Sequence, residues 1–439
     1  MPAITIWMRR VAAPERWRRR LAFWGGAVAT GAAAVLFALA SNWAMRGFSV
    51  VRAVWPWWPY LCAPCGLALC AWLTRTVFPG AEGSGIPQCI AALSLPGESD
   101  RDRLLSLRIS TGKVLVTLLA LLCGASVGRE GPTVQVGASL MHALRRIARF
   151  HREVVDRGLI LAGAAAGVAA AFNTPLAGVV FAVEELARSF EERTSGVILL
   201  AVVVAGVTSL GFLGNYTYFG TTAAQFSASD LWSAVPVCGV AGGLAGGLFS
   251  RILLSLPRRL PATVRTLRAR FPVLFAASCG LLLALLGTLS HGTTFGTGYA
   301  EARSFIEHDA APVTAFALLK ALATIVSYVS GVPGGLFAPS LAVGAGLGAH
   351  LHALLPQVSA GVVVLLSMAA YFAGVVQAPL TALVIVTEMT GNRGMMLPLM
   401  AAALIGRGMS GLLCREPLYR ALAASYLVPV ADVSDKAAS

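Results

Sequence analysis

The sequence predicts an all-α, polytopic membrane protein, and charge content, uncharged runs and an internal repeat carry that prediction. Of the 439 residues, 57% are apolar and only 12% are charged, with a mean hydropathy of +0.74. Soluble domains carry about 25% charged residues, because even a large domain must show water a polar surface. Three windows contain no Asp, Glu, Lys or Arg: Gly158 to Val183, Thr194 to Ser229 and Ala321 to Thr387. Each is longer than the roughly 20 residues that cross a bilayer as a helix. The alternating pattern of an outer-membrane barrel is absent. Soluble enzymes, DNA-binding modules and disordered scaffolds are excluded.

Read from the N-terminus, residues 1–20 form a basic segment with Arg9, Arg10, Arg16, Arg18, Arg19 and Arg20. Two further clusters follow, Arg145, Arg146, Arg149 and Arg152, then Arg258, Arg259, Arg265, Arg268 and Arg270. A net charge of +14 gathered in loops sets topology by the positive-inside rule, with attraction to anionic lipid as its companion. Nucleic acid is not expected as a partner. The first cluster places the N-terminus in the cytoplasm. The apolar block Leu21 to Ala44 is long enough to span, so it is not read as a cleaved signal. The eight cysteines include Cys62 and Cys65 two residues apart, but no second pair stands at zinc-ligand spacing. They are read as small buried hydrophobes, and no metal is expected.

The chain repeats itself. GREGPTVQVGASL at Gly128–Leu140 matches GLFAPSLAVGAGL at Gly335–Leu347 through Pro132, Val136, Gly137, Ala138 and Leu140, at a constant offset of 207. NTPLAGVVFAVEE at Asn173–Glu185 matches QAPLTALVIVTEM at Gln377–Met389 through Pro175, Leu176, Val180 and Glu184, at an offset of 204. The expected organisation is a first membrane repeat over 21–225 and a second over 230–414. A C-terminal helix over 415–430 carries Tyr419, and a polar tail occupies 431–439.

Repeated membrane proteins place their substrate where the halves meet, on broken helices. The repeated segments have that character: a glycine-rich turn, a proline, then small and apolar residues. Proline suits the first turn of a helix, where its missing N–H costs nothing. The turn leaves backbone N–H groups that the helix cannot pair and that lipid cannot satisfy. A helix N-terminus carries about half a positive charge, so an anion is the natural partner. Three such N-termini stand at Gly83-Ser84-Gly85-Ile86-Pro87, Gly128-Arg129-Glu130-Gly131-Pro132 and Gly335-Leu336-Phe337-Ala338-Pro339.

At these three motifs, with SGVPGG at Ser330–Gly335 and PLY at Pro417–Tyr419, the chain resembles the chloride channel/transporter (CLC) family. Order and spacing agree from about residue 21 to 425, with GLFAP standing where the family usually has GIFAP. The resemblance implies two inverted-topology repeats of broken and re-entrant helices. It implies that the hydroxyls of Ser84 and Tyr419, with the backbone N–H groups of Leu336 and Phe337, coordinate chloride. Neutral donors suit an ion that must leave again. Serine at position 84 favours chloride over nitrate or fluoride, because branches that prefer those ions replace it.

Glu130 resembles the family's gating glutamate. Ionised, a carboxylate at an anion-attracting helix end competes with the anion; protonated, it can swing out. The alternative is a pair with adjacent Arg129, but intramembrane carboxylates are functional by default. Glu185 resembles the inner proton acceptor of the antiporters, where channels carry an apolar residue; the residues alone equally allow a carboxylate at a membrane boundary beside Arg188. One departure is Gln88-Cys89-Ile90, where some bacterial antiporters have acidic residues. Lys113 either compensates charge near Glu185 or marks a helix end. Glu388 repeats Glu184 and is read as capping or pairing near a helix end.

Other classes fit less well. Gly124-Ala-Ser-Val-Gly128 matches a serine-nucleophile pattern, but no histidine stands in a corresponding apolar context. Gly344, Gly346 and Gly348 follow no strand and form no dinucleotide site. Gly163, Gly167, Gly239, Gly243 and Gly247 are read as helix-packing contacts. The expectation is a secondary transporter, not an enzyme, exchanging chloride for protons without any cofactor or nucleotide; the alternative is a passive chloride channel of the same fold. The resemblance is to bacterial antiporters without appended nucleotide-binding domains, about twenty residues following Tyr419. It adds a homodimer with one pathway per subunit, in the bacterial inner membrane.

Overall fold

The computed structural model describes residues 14–148, 153–187, 192–214, 217–221, 228–308 and 315–427. Helices build it throughout, and among the described residues one isolated β-bridge is the only extended pairing. The first half holds α1 (Pro14–Val54), α2 (Trp58–Thr76), α3 (Ile86–Ser94), α4 (Glu98–Leu105), α5 (Leu107–Leu122), α6 (Glu130–Ala148), α7 (Glu153–Phe172) and α8 (Pro175–Phe181). A π-helical turn, Ala182–Ala187, continues α8, and α9 (Glu192–Leu213) follows. The second half holds α10 (Ala228–Arg259), α11 (Ala262–Arg270), α12 (Pro272–Leu289), α13 (Tyr299–Glu307), α14 (Phe316–Val329), α15 (Phe337–Leu351), α16 (Ala360–Val376), α17 (Pro379–Thr390) and α18 (Met396–Leu413). Short α19 (Leu418–Ala423) comes last. Among the described residues, seven helical stretches are long and apolar enough to cross a membrane. The short α3, α8, α13 and α17 are the broken pieces.

Two elements differ from the sequence reading. The first helix starts inside the segment assigned to the basic N-terminus and runs ten residues past Ala44, stopping at Val54 before Pro56. At 1.5 Å per residue its length is about 60 Å, well beyond a bilayer's hydrocarbon core, so part of it stands outside. The C-terminal helix begins only at Leu418, because Pro417 occupies the N-cap, and passes into a 3-10 turn at Ala424–Tyr426. The expected polar tail, with Arg9, Arg10, Arg149 and Arg152, lies outside the described residues.

Glycines set the helix spacing. A Cβ on Gly137 of α6 would sit 2.2 Å from the Gly163 carbonyl of α7, and one on Gly163 would sit 2.2 Å from that of Gly137. In the second half Gly243 of α10 meets the Gly406 carbonyl of α18 at 2.4 Å in the same sense. Backbones in contact leave no room for a methyl, which is how membrane helices pack closely.

Equivalent residues of the two halves meet each other across the repeat boundary in reciprocal pairs. Gly128 N–H donates to Gly335 O at 2.6 Å, and Gly335 N–H donates to Gly128 O at 2.7 Å. Thr117 Oγ1 donates to Pro333 O at 3.4 Å, while Thr324 Oγ1 meets Ser126 Oγ at 3.0 Å. Glu184, on the π-turn, accepts from Leu380 N (3.2 Å), Thr381 N (2.7 Å) and Thr381 Oγ1 (2.7 Å) at the start of α17. Glu388, on α17, accepts from Leu176 N (3.1 Å) and Ala177 N (2.7 Å) at the start of α8. Each half thus caps a helix of the other, and a two-fold axis between the repeats produces that exchange. A carboxylate on a helix N-terminus contributes about 1–2 kcal/mol. Glu388→Ala is expected to lose about that much stability and Glu184→Ala somewhat more, having three donors to abandon. Thermal unfolding in detergent reads this; unchanged melting in both variants would refute the exchanged caps.

The cationic cluster at the end of α6 is partly neutralised within the fold. His142 lies between Asp156 Oδ1 (2.7 Å) and Asp102 Oδ1 (2.9 Å), Arg101 donates to Asp156 Oδ2 (2.8 Å), and Arg145 pairs with Glu98. These groups clamp α4 against α6 and α7. The later cluster occupies the end of α10 and α11, a helix with no buried residue.

Candidate functional site

Three turns converge where the repeats meet. The first is Gly83-Ser84-Gly85, heading α3. Gly83 has φ +74° and Gly85 φ +106°, backbone states that side chains disfavour. Gln88, in the first turn of α3, accepts from Gly85 N–H at 2.9 Å and donates to Glu82 O at 2.7 Å and Tyr426 Oη at 2.9 Å. The departure noted in the sequence therefore has a structural use: a neutral amide can donate and accept at once, which a carboxylate cannot. From behind, Lys113 Nζ donates to Glu82 O and Gly83 O, both at 3.1 Å. Lys113 is fully buried midway along α5, so it marks no helix end; it braces the turn. Ser84 is buried in that braced turn, and its hydroxyl meets no hydrogen-bond partner.

The second turn carries Gly128 to Gly131 into α6. Gly131 lies against Ser84 so closely that a Cβ there would be 2.5 Å from both Ser84 O and Oγ. Arg129 reaches α1, donating Nη1 to Ala38 O (2.7 Å) and Asn42 Oδ1 (2.9 Å). Glu130 is buried, with Oε1 accepting from Tyr218 Oη at 3.2 Å. Its carboxylate also faces the backbone N–H groups of Glu130 itself and of Ala338, the starts of α6 and α15. Oε2 meets no donor at hydrogen-bonding distance.

The third turn is Gly335-Leu336, with Phe337 beginning α15. The N–H groups of Leu336 and Phe337 lie in the first turn, where the helix cannot pair them. The Phe337 ring is packed by Phe372 (4.4 Å between centroids), Phe172 (4.9 Å) and Phe181 (6.3 Å), which close the locus with apolar surface. Tyr419 enters on α19, which packs on α3. It is fully buried, its hydroxyl has no hydrogen-bond partner, and both Glu185 and Glu130 lie within electrostatic reach. Glu185 is fully buried on the π-turn. Such turns shift side-chain register locally, and here adjacent carboxylates part company: Glu184 goes to α17 and Glu185 inward.

Sequence reasoning missed two residues. Lys320 stands 207 residues after Lys113, the offset that relates Gly128 to Gly335, and directly precedes the uncharged run that begins at Ala321. It is fully buried and donates to Thr294 O (2.9 Å) and Gly296 O (2.7 Å). Gly296-Thr297-Gly298, with φ of +66° and +78° at its glycines, heads α13 as Gly83-Ser84-Gly85 heads α3. Tyr218 had no comparable signal, since it lies in none of the repeated motifs. Ser126 of the protease-like pattern follows a helix and contacts Ser327 and Thr324, with no strand before it. Among the described residues no cluster of His, Cys, Asp or Glu could hold a metal.

A duplicated, polytopic helical membrane protein whose broken helices turn their N-termini on one buried locus is the class defined by these features. The chain belongs to the voltage-gated chloride channel (CLC) family, whose profile matches residues 65–411. It is 29% identical over 367 residues to the H(+)/Cl(−) exchange transporter ClcA of Vibrio campbellii, covering 80% of this chain and 76% of that protein. A slow cyanobacterial Cl−/H+ antiporter of solved structure superposes with a TM-score of 0.81 at 28% identity, over 93% of this chain and 98% of the other. A CLC-type fluoride/proton antiporter shares the fold, with a TM-score of 0.75 at 24% identity over 91% and 96% of the two chains.

Proposed function

We propose that this protein is a secondary transporter exchanging chloride for protons across a bacterial inner membrane, with its N-terminus cytoplasmic. The observation that carries the reading is the buried locus itself. Two hydroxyls without partners, Ser84 and Tyr419, share it with helix-start N–H groups and the half-satisfied carboxylate of Glu130. Chloride is held by both hydroxyls and the N–H groups of Leu336 and Phe337, donors weak enough to release it. Ionised Glu130 occupies the anion's outer position. On taking a proton it loses the charge that holds it at the helix ends and gives way to chloride. Glu185 is the inner proton acceptor, and Tyr419 lies in the field of both carboxylates. Two of the relatives, the Vibrio campbellii exchange transporter and the cyanobacterial antiporter, are named as chloride/proton exchangers, which supports the same reading. The family resemblance supports a homodimer with one pathway per subunit.

The test is proton uptake into sealed liposomes containing the purified protein, driven by a chloride gradient with no proton gradient imposed. Uphill proton movement is expected. Chloride flux without it would replace the exchanger by a passive channel and leave Glu185 a structural residue.

A further inference from the structure

We propose that Tyr218 is a latch on Glu130, a positioning residue that holds the carboxylate in the anion pathway and slows its release. This rests on the gating role proposed for Glu130. Tyr218 belongs to the 217–221 segment that lies between α9 and α10, not to any repeated motif. Phe219 N–H donates to Met389 O at 2.9 Å, which fastens the segment to α17. The Tyr218 ring is fixed by Tyr299 (4.9 Å), Phe219 (5.0 Å) and Phe172 (5.3 Å), and the Arg129 guanidinium stands 5.6 Å from its centroid. Four neighbours thus aim one hydroxyl, and its target is Glu130 Oε1 at 3.2 Å.

The chemistry favours holding over releasing. A hydroxyl bound to an ionised carboxylate makes a charge-assisted bond, stronger than the neutral bond it makes to the protonated acid. The latch therefore grips the ionised, pathway-blocking gate and loosens once a proton arrives. The titratable and charged groups facing Glu130 are Tyr218 from the 217–221 segment, Arg129 from its own turn and Tyr419 from α19. Only Tyr218 bonds to the carboxylate through a side-chain donor among the hydrogen bonds described.

Tyr218→Phe keeps the ring, its packing and the Arg129 contact, and deletes the hydroxyl alone. Reconstituted Y218F is expected to turn over about tenfold faster, the weight of one hydrogen bond to a charged group. Its flux–pH profile should move toward higher pH, since less acid is then needed to free the gate. The control is the same change in Glu130→Ala, where no carboxylate remains to be held and chloride flux should be indifferent to Y218F. Equal rate and profile in Y218F and wild type, a slower Y218F, or the same change in both backgrounds would each overturn the latch. If wild-type liposomes move chloride without protons, the exchanger reading falls, while the latch still stands or falls on chloride flux.

Discussion

Glu130→Gln should abolish proton movement while chloride continues to flow. Glutamine matches the size of the protonated acid but can neither ionise nor carry a proton. It therefore mimics the gate in its released state permanently. In the wild type, flux should climb as pH falls, because protonation is what displaces the carboxylate from the starts of α6 and α15. In E130Q that dependence should flatten, the side chain having nothing left to titrate. Paired recordings from liposomes, chloride by electrode and protons by an internal dye, read both quantities. Glu185→Gln should also stop protons and spare chloride, but it should keep the rise in flux at low pH, since Glu130 is intact. Proton pumping that survives in E130Q would remove Glu130 from the proton path altogether.

Gly85→Ala should be severely damaging, because it combines backbone strain with a main-chain clash. Gly85 combines φ +106° with ψ −40°, a backbone state outside the regions open to L residues. Strain of that kind costs roughly 1–3 kcal/mol. The added Cβ would also lie 2.3 Å from the Gly131 carbonyl, an atom of main chain that cannot rotate aside. Forcing the starts of α3 and α6 apart adds an overpacking cost of roughly 1–3 kcal/mol. The sum is a large share of the 5–15 kcal/mol that stabilises a typical folded protein. Little monodisperse protein should emerge on size exclusion in detergent, and what does should have lost chloride affinity by calorimetry. A well-folded G85A that binds chloride normally would contradict the proposed convergence of the three turns.

The sequence carried the repeats and the broken helices clearly because both are written in backbone-dictating residues. Gly83, Gly85, Gly128 and Gly335 mark turns, and Pro87, Pro175 and Pro379 mark helix starts. The halves could be aligned because those residues sit at fixed offsets. The side-chain braces were harder to read, since a lysine in an apolar window is ambiguous until its partners are known. Lys113 acquires meaning only from carbonyls thirty residues away in the chain, and Lys320 only from its equivalence to Lys113. Tyr218 was illegible because its partner, Glu130, is 88 positions away and no periodicity links them. The register of Glu184 and Glu185 was equally hidden: adjacent acids on an ordinary helix diverge by about 100°, and the π-turn redirects them in a way that composition does not announce.

The exchanged caps bear on how the chain is made. While the first half leaves the ribosome, the donors at Leu176 and Ala177 have no Glu388 to meet, and Gly128 has no Gly335. Two hundred further residues must be synthesised before those partners exist, about 10–40 s at ordinary elongation rates. Through that interval the first half sits in or beside the bilayer with unpaired backbone polar groups, which hydrocarbon does not tolerate. Neither half is then a domain in the sense of a unit that finishes folding alone. The nascent first half requires temporary shelter, from water in the insertion machinery or from a second protein, until its twin arrives.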